Sequence, residues 1–134
     1  MAKLVDIEGI GPKMAELLKK AGVASQKSLL EKGGTRAGRK KIAQGAGIDE
    51  KKILEWVNRA DLSRIKGVGE EYSDLLEAAG VDTVPELARR NAASLFSSLQ
   101  SINGKKKLVR QLPTGAQVES WVAQAKNLPR AVEY

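Results

Sequence analysis

The stretch Gly9-Ile10-Gly11-Pro12-Lys13 sets two glycines, a proline and a lysine within five positions. These residue types do their chemistry without covalent bonds. Glycine admits backbone conformations that a side chain would penalise and lets another backbone come near. Proline suits the first position of a helix, where its missing N–H costs little. A helix starting there turns its free N–H groups outward at the positive end of its dipole, a generic seat for a phosphate. Lys13 adds a full positive charge beside it, and Ile10, between the glycines, is placed to pin the turn into a core. The chemistry on offer is reversible anion binding by backbone amides and one ammonium group.

A second version follows 58 positions later without that chemistry. Ile7 to Val23 reads IEGIGPKMAELLKKAGV and Ile65 to Val81 reads IKGVGEEYSDLLEAAGV, with 8 identities in 17 positions. Glu70 and Glu71 stand where Pro12 and Lys13 stood. Each carboxylate interacts favourably with its own helix dipole by about 0.3–1 kcal/mol, and both repel a phosphate. The turn Gly67 to Gly69 is therefore expected to be mainly structural, or to contact a basic or protein partner. Tyr72 and Ser73 replace Met14 and Ala15, a looser copy.

Covalent and metal chemistry have little to work with. The chain has no cysteine and no histidine, so the commonest general base, the commonest transition-metal ligand and every thiolate site are missing. Glu70, Glu71 and Asp74 cluster in sequence, but a solvated, dipole-matched helix start explains them better than an acid–base pair or a metal site. No enzyme activity, cofactor or metal is expected.

The elements that would position the turns are helical. Met14, Leu17, Leu18 and Ala21 recur at i, i+3, i+4 and i+7, as do Tyr72, Leu75, Leu76 and Ala79, one buried helix face each. Gly22 and Gly80 read as helix stops, and Ser25 and Thr83 as the N-caps of short helices ending near Glu31 and Arg90. Ile53, Trp56, Val57 and Ala60 form the stripe of a longer closing helix, matched by Val118, Trp121, Val122 and Ala125. The offset of that last match is 65 rather than 58, so about seven residues enter between, most naturally in Asn103 to Pro113. Both tryptophans fall on core positions, and with 4% aromatic residues the chain does not read as a base-stacking single-strand binder. No stretch alternates as a strand does. The expected fold is all-α: two tandem pseudo-repeats, 1–62 and 63–134, packed as one compact body.

The 134 residues carry a formal net charge of +7, which favours an anionic partner. The excess lies early: 13 Lys and Arg against 7 Asp and Glu in residues 1–60, 10 against 9 in the remainder. Arg36, Arg39 and Lys40, at i, i+3 and i+4, share a helical face with Lys41 nearby, and could extend an electrostatic footprint. Lys105, Lys106, Lys107 and Arg110 form a second cluster. Ala43, Gly47, Ile48, Ile53 and Trp56 also have helix-turn-helix spacing, which would turn Lys51, Lys52, Glu55 and Arg59 toward a major groove; a plain helical hairpin explains most of it. No apolar run is long enough to span a bilayer, and MAKLVDIEG lacks the pattern of a signal peptide, so a soluble, cytoplasmic protein is expected.

The pattern from Gly9 to Ala15 closely resembles the helix-hairpin-helix motif, a Gly-hydrophobic-Gly turn followed by a helix with alanine near its start. In proteins with that motif the turn grips the DNA backbone without reading base sequence, and the resemblance implies the same here. More widely, the chain from about Leu4 to Arg130 resembles a family of small bacterial proteins grouped only as a domain of unknown function and built on helix-hairpin-helix elements, through the two hairpin segments, ILEWVNRADLSRIKGVG and KKLVRQLPTGAQVESWV. The expected function is non-enzymatic, sequence-nonspecific binding of duplex DNA by Gly9, Ile10, Gly11 and Lys13, with Arg36, Arg39, Lys40 and Lys41. The alternative is a protein-interaction or assembly module on the same scaffold, since a Gly-x-Gly turn can also pack two helices and bind nothing.

Overall fold

The computed structural model describes residues 3–134, which form eight α-helices and one short 3-10 helix, Leu4–Asp6, with no strand among them. The chain divides into two units. The first ends at Asp61 and also takes in Arg130–Tyr134; the second is Leu62–Pro129.

The first unit holds α1 (Pro12–Lys20), α2 (Gln26–Gly33), α3 (Arg36–Ala46) and most of α4 (Glu50–Leu62). After α1, each begins where a side chain satisfies one of its first amides. Ser25 caps α2 by accepting from the Ser28 N–H, and Thr35 caps α3 by accepting from Gly38 at 3.0 Å. Asp49 accepts from the Lys51 N–H at 2.9 Å ahead of α4. The end of α1 is a Schellman motif: Val23 N–H reaches back to Leu18 O at 2.9 Å and Gly22 takes φ +89°. Lys32 then donates to Gly22 O at 2.6 Å, a cation at the negative end of the helix dipole. The core gathers Leu18, Val23, Leu29, Ile53, Trp56 and Val57, all 3% exposed or less. Side chains of this size contribute roughly 1.5–3 kcal/mol each on burial.

The second unit holds α5 (Glu70–Ala78), α6 (Val84–Arg89), α7 (Ala92–Lys106) and α8 (Gly115–Asn127). Thr83, Asn91 and Thr114 cap α6, α7 and α8. The Schellman closure recurs at Val81 and Gly80, and Arg90 takes the place of Lys32 by donating to Ala79 O at 3.3 Å. Trp121 and Leu75, Leu76, Leu87, Leu95 and Leu99 fill the core. The tryptophans behave as their spacing predicts: Trp56 is 3% and Trp121 1% exposed.

Two features differ from the sequence reading. The extra length of the second unit is shared between a helix and a loop: α7 has 15 residues against 11 in α3, and the connection that follows runs from 107 to 114 instead of 47 to 49. And Arg130–Tyr134 does not belong with the second unit. Val132, 2% exposed, packs into the first unit's core, Glu133 N–H donates to Gly34 O at 2.7 Å, and the Tyr134 hydroxyl donates to Asn58 Oδ1 at 2.8 Å. Gly34 makes this approach feasible, because a Cβ there would lie 2.6 Å from Ala131 O.

Candidate functional site

The first turn is built against α4. Gly9 takes φ +91°, and an added Cβ would meet Trp56 Nε1 at 3.2 Å, so the indole edge lies directly beneath the bend. Ile10 is 3% exposed and joins the core, as its place between the glycines predicts. Arg59, a turn beyond Trp56, reaches Glu8 at 3.4 Å, so the one acid flanking the bend is balanced by a cation. These contacts hold the chain on which α1 begins.

Gly11 departs from the expectation that both glycines need special dihedrals. Its φ of −87° with ψ −177° is extended backbone open to any residue, and nothing lies within 4 Å of where its Cβ would stand. No contact inside the fold requires a glycine there. Its consequence is at the N-cap: no side chain caps α1, and the N–H groups of Gly11, Lys13 and Met14 donate to no acceptor among the described residues, while Ala15 N–H bonds Gly11 O at 2.9 Å. Gly9, Gly11, Pro12 and Lys13 are all exposed, and the first turn of α1 carries no acid. The arrangement offers three amide donors and an ammonium group to an anion from solvent.

The second turn has the same backbone with the opposite charge. Gly67 takes φ +94° over Trp121, whose Nε1 would lie 3.0 Å from a Cβ, and Gly69 is extended, uncapped and open. Glu70 and Glu71 are exposed in the first turn of α5. Ser73 is buried, and Tyr72 tilts against Trp121 at a centroid distance of 5.3 Å while its hydroxyl donates to Gln111 O at 3.0 Å. Tyr72 thus ties this turn to the longer loop of its unit, a role Met14 has no occasion to fill.

The α3 cluster divides. Arg36, Lys40 and Lys41 are exposed. Arg36 and Lys40 lie about 40° apart around the helix, whereas Lys41 is turned about 100° from Lys40. Arg39 is withdrawn from the predicted binding set. It is 5% exposed, donating Nη1 to Gly33 O at 2.9 Å and Gly34 O at 3.2 Å, and Nη2 to Glu133 O at 2.7 Å. A planar guanidinium fits this work, closing the end of α2 and holding the C-terminal segment at once. The helix that the helix-turn-helix spacing would aim at a groove is α4. α4 buries Ile53, Trp56, Val57, Asn58 and Ala60; of the four side chains a groove reader would present, Lys51, Lys52 and Glu55 are exposed and Arg59 is engaged with Glu8.

A groove of about 260 Å³ lies beside the first turn, lined among others by Leu4, Val5, Pro12, Ala15 and Lys19. Val5 is 44% exposed there. No group of three or more acidic, histidine or cysteine side chains placed to hold a metal occurs among the described residues. No helix among them is long and apolar enough to cross a membrane.

The fold and the site define an all-helical protein of two units with an uncapped, positively charged helix start in the first. The family model described as a domain of unknown function, DUF4332, matches residues 8–128, and the chain belongs to that family. No solved structure matches it.

Proposed function

We propose that the protein binds duplex DNA without sequence preference and without catalysing a reaction, as a tandem helix-hairpin-helix protein whose first turn takes a backbone phosphate. The observation that carries this reading is the start of α1: the Gly11, Lys13 and Met14 amides lack acceptors among the described residues, Lys13 stands exposed beside them, and no acid competes in the turn. The tandem assignment is supported by the matching bends at Gly9 and Gly67, each closed from below by a tryptophan. Arg36, Lys40 and Lys41 supply further phosphate contacts from α3. With about four phosphates neutralised, log K falls with log salt at a slope of about −3.6. The test is fluorescence anisotropy on a random-sequence duplex across salt concentrations. Lys13→Glu weakens binding at every sequence tried and shrinks the slope by at least about 0.9. An unchanged affinity and slope in Lys13→Glu rejects the reading.

A second reading, a protein-interaction module, draws on the groove between the Leu4–Asp6 turn and α1, where an exposed valine borders apolar wall. It is favoured if the parent protein shows no salt-dependent retention of duplex.

A further inference from the structure

The second unit has lost the cation at its turn but concentrates charge elsewhere. Leu62–Pro129 carries nine Lys and Arg against seven Asp and Glu, and four of those cations, Lys105, Lys106, Lys107 and Arg110, fall within six consecutive residues free of acid. Without them, five cations face seven acids. All four are exposed, and none of their side chains makes a hydrogen bond or ion pair with a described residue.

Lys105 and Lys106 have an ordinary explanation, because they lie in the last turn of α7, where its dipole favours cations. Lys107 does not. It caps α7 in the left-handed conformation, φ +51° and ψ +48°, the one non-glycine residue with positive φ among those described. The corresponding cap of α3 is Gly47, φ +69°, and the two make the same closure: Gly47 N–H to Ala43 O at 2.9 Å, Lys107 N–H to Asn103 O at 2.8 Å. A glycine adopts this shape without penalty, whereas a lysine is disfavoured in it. The rest of the loop is held firmly. The Asn103 amide both accepts from Val109 N–H at 3.0 Å and donates to Val109 O at 3.2 Å, Val109 is buried, and Tyr72 holds Gln111 O. The chain thus fixes a strained lysine and Arg110 on a rigid loop facing solvent.

We propose that the loop after α7 is a second phosphate-backbone site for duplex nucleic acid, standing in for the turn at Gly67–Gly69 that Glu70 and Glu71 have closed to anions. The proposal rests on the duplex-binding reading of the first turn and adds a separate contact to it. A membrane surface would present the same anionic chemistry, but the loop exposes a single large apolar side chain, Leu108 at 38%, too little area to insert among acyl chains.

The test compares Lys107→Gly, a Lys105→Gln/Lys106→Gln/Arg110→Gln triple variant and Lys13→Glu on the full chain, with a random-sequence duplex and with phosphatidylserine-containing vesicles as probes. Lys107→Gly is expected to raise Tm, since it relieves the backbone, and yet to reduce the salt slope by about 0.9. The triple variant reduces the slope further. If the loop variants bind duplex like the parent while Lys13→Glu does not, the loop site is overturned and the first-turn reading stands. If no variant changes duplex binding, both are overturned. Loss of vesicle binding with unchanged duplex binding assigns the loop to lipid and overturns the proposal.

Discussion

At the scale of the residue, burial separates cations that sequence spacing groups together. Arg36, Arg39 and Lys40 are one face by arithmetic, but Arg39 spends its guanidinium on three main-chain carbonyls, while Arg36 and Lys40 are exposed to solvent. Losing those bonds takes this donor from Gly33 O and Glu133 O, at about 1–3 kcal/mol for each group left unmade, while Gly34 O keeps the Glu133 N–H. Arg39→Met is therefore expected to lower unfolding free energy by about 3 kcal/mol in urea titration, and Arg39→Lys to recover little of it because an ammonium cannot span the fork. Lys41→Gln, a few residues away in solvent, should change stability by no more than about 0.5 kcal/mol. The sequence could not have revealed this division. Glu133, the partner that draws Arg39 inward, stands 94 positions away, beyond the reach of any local pattern.

At the scale of the element, the turn distinguishes two glycines that look equivalent in the text of the chain. Gly9 has a positive φ and an indole 3.2 Å from its missing Cβ; Gly11 has an ordinary φ and open space. Gly9→Ala is expected to destabilise by about 1–3 kcal/mol, the usual cost of forcing a side chain into such a conformation. Gly11→Ala is expected to be neutral or stabilising by up to about 1 kcal/mol, since it only restricts the unfolded chain. Thermal unfolding of the two single variants decides this. Helices, caps and stops were the most legible part of the chain. Leu18 and Leu76 on their stripes, Ser25 and Thr83 as caps, Gly22 and Gly80 as stops, and both tryptophans as core all follow from local periodicity and turn chemistry. The short helices were placed within about two residues, because their ends depend on tertiary contacts such as Lys32 on Gly22. Less legible was the division of the inserted length between α7 and its loop, since α7 runs through Asn103-Gly104, which reads as a stop, and Lys107 takes the left-handed cap usually given to glycine.

At the scale of the whole molecule, the units differ in charge and in how each is completed along the chain. The first carries most of the net positive charge, and the second gathers four of its nine cations at the end of α7 and in the loop after it. Bulk charge made the first contrast visible; the second required knowing that Asn103 and Tyr72 hold that loop in place. The first unit is also discontinuous, finished by Arg130–Tyr134. Removing those five residues takes Val132 out of the core and strips Arg39 and Asn58 of partners. The expected loss is at least about 3 kcal/mol, from one buried valine and two or more hydrogen bonds. Amide exchange should accelerate in the segment ending at Asp61 and stay unchanged in Leu62–Pro129.

The returning segment makes completion of the first unit depend on residues synthesised after the second. Translation delivers the amino-terminal half first, yet its interior waits for a valine made after the whole of Leu62–Pro129, while that later half is contiguous. The nascent chain thus emerges with its earliest-made core one side chain short, and that core seals only when the ribosome has added Val132.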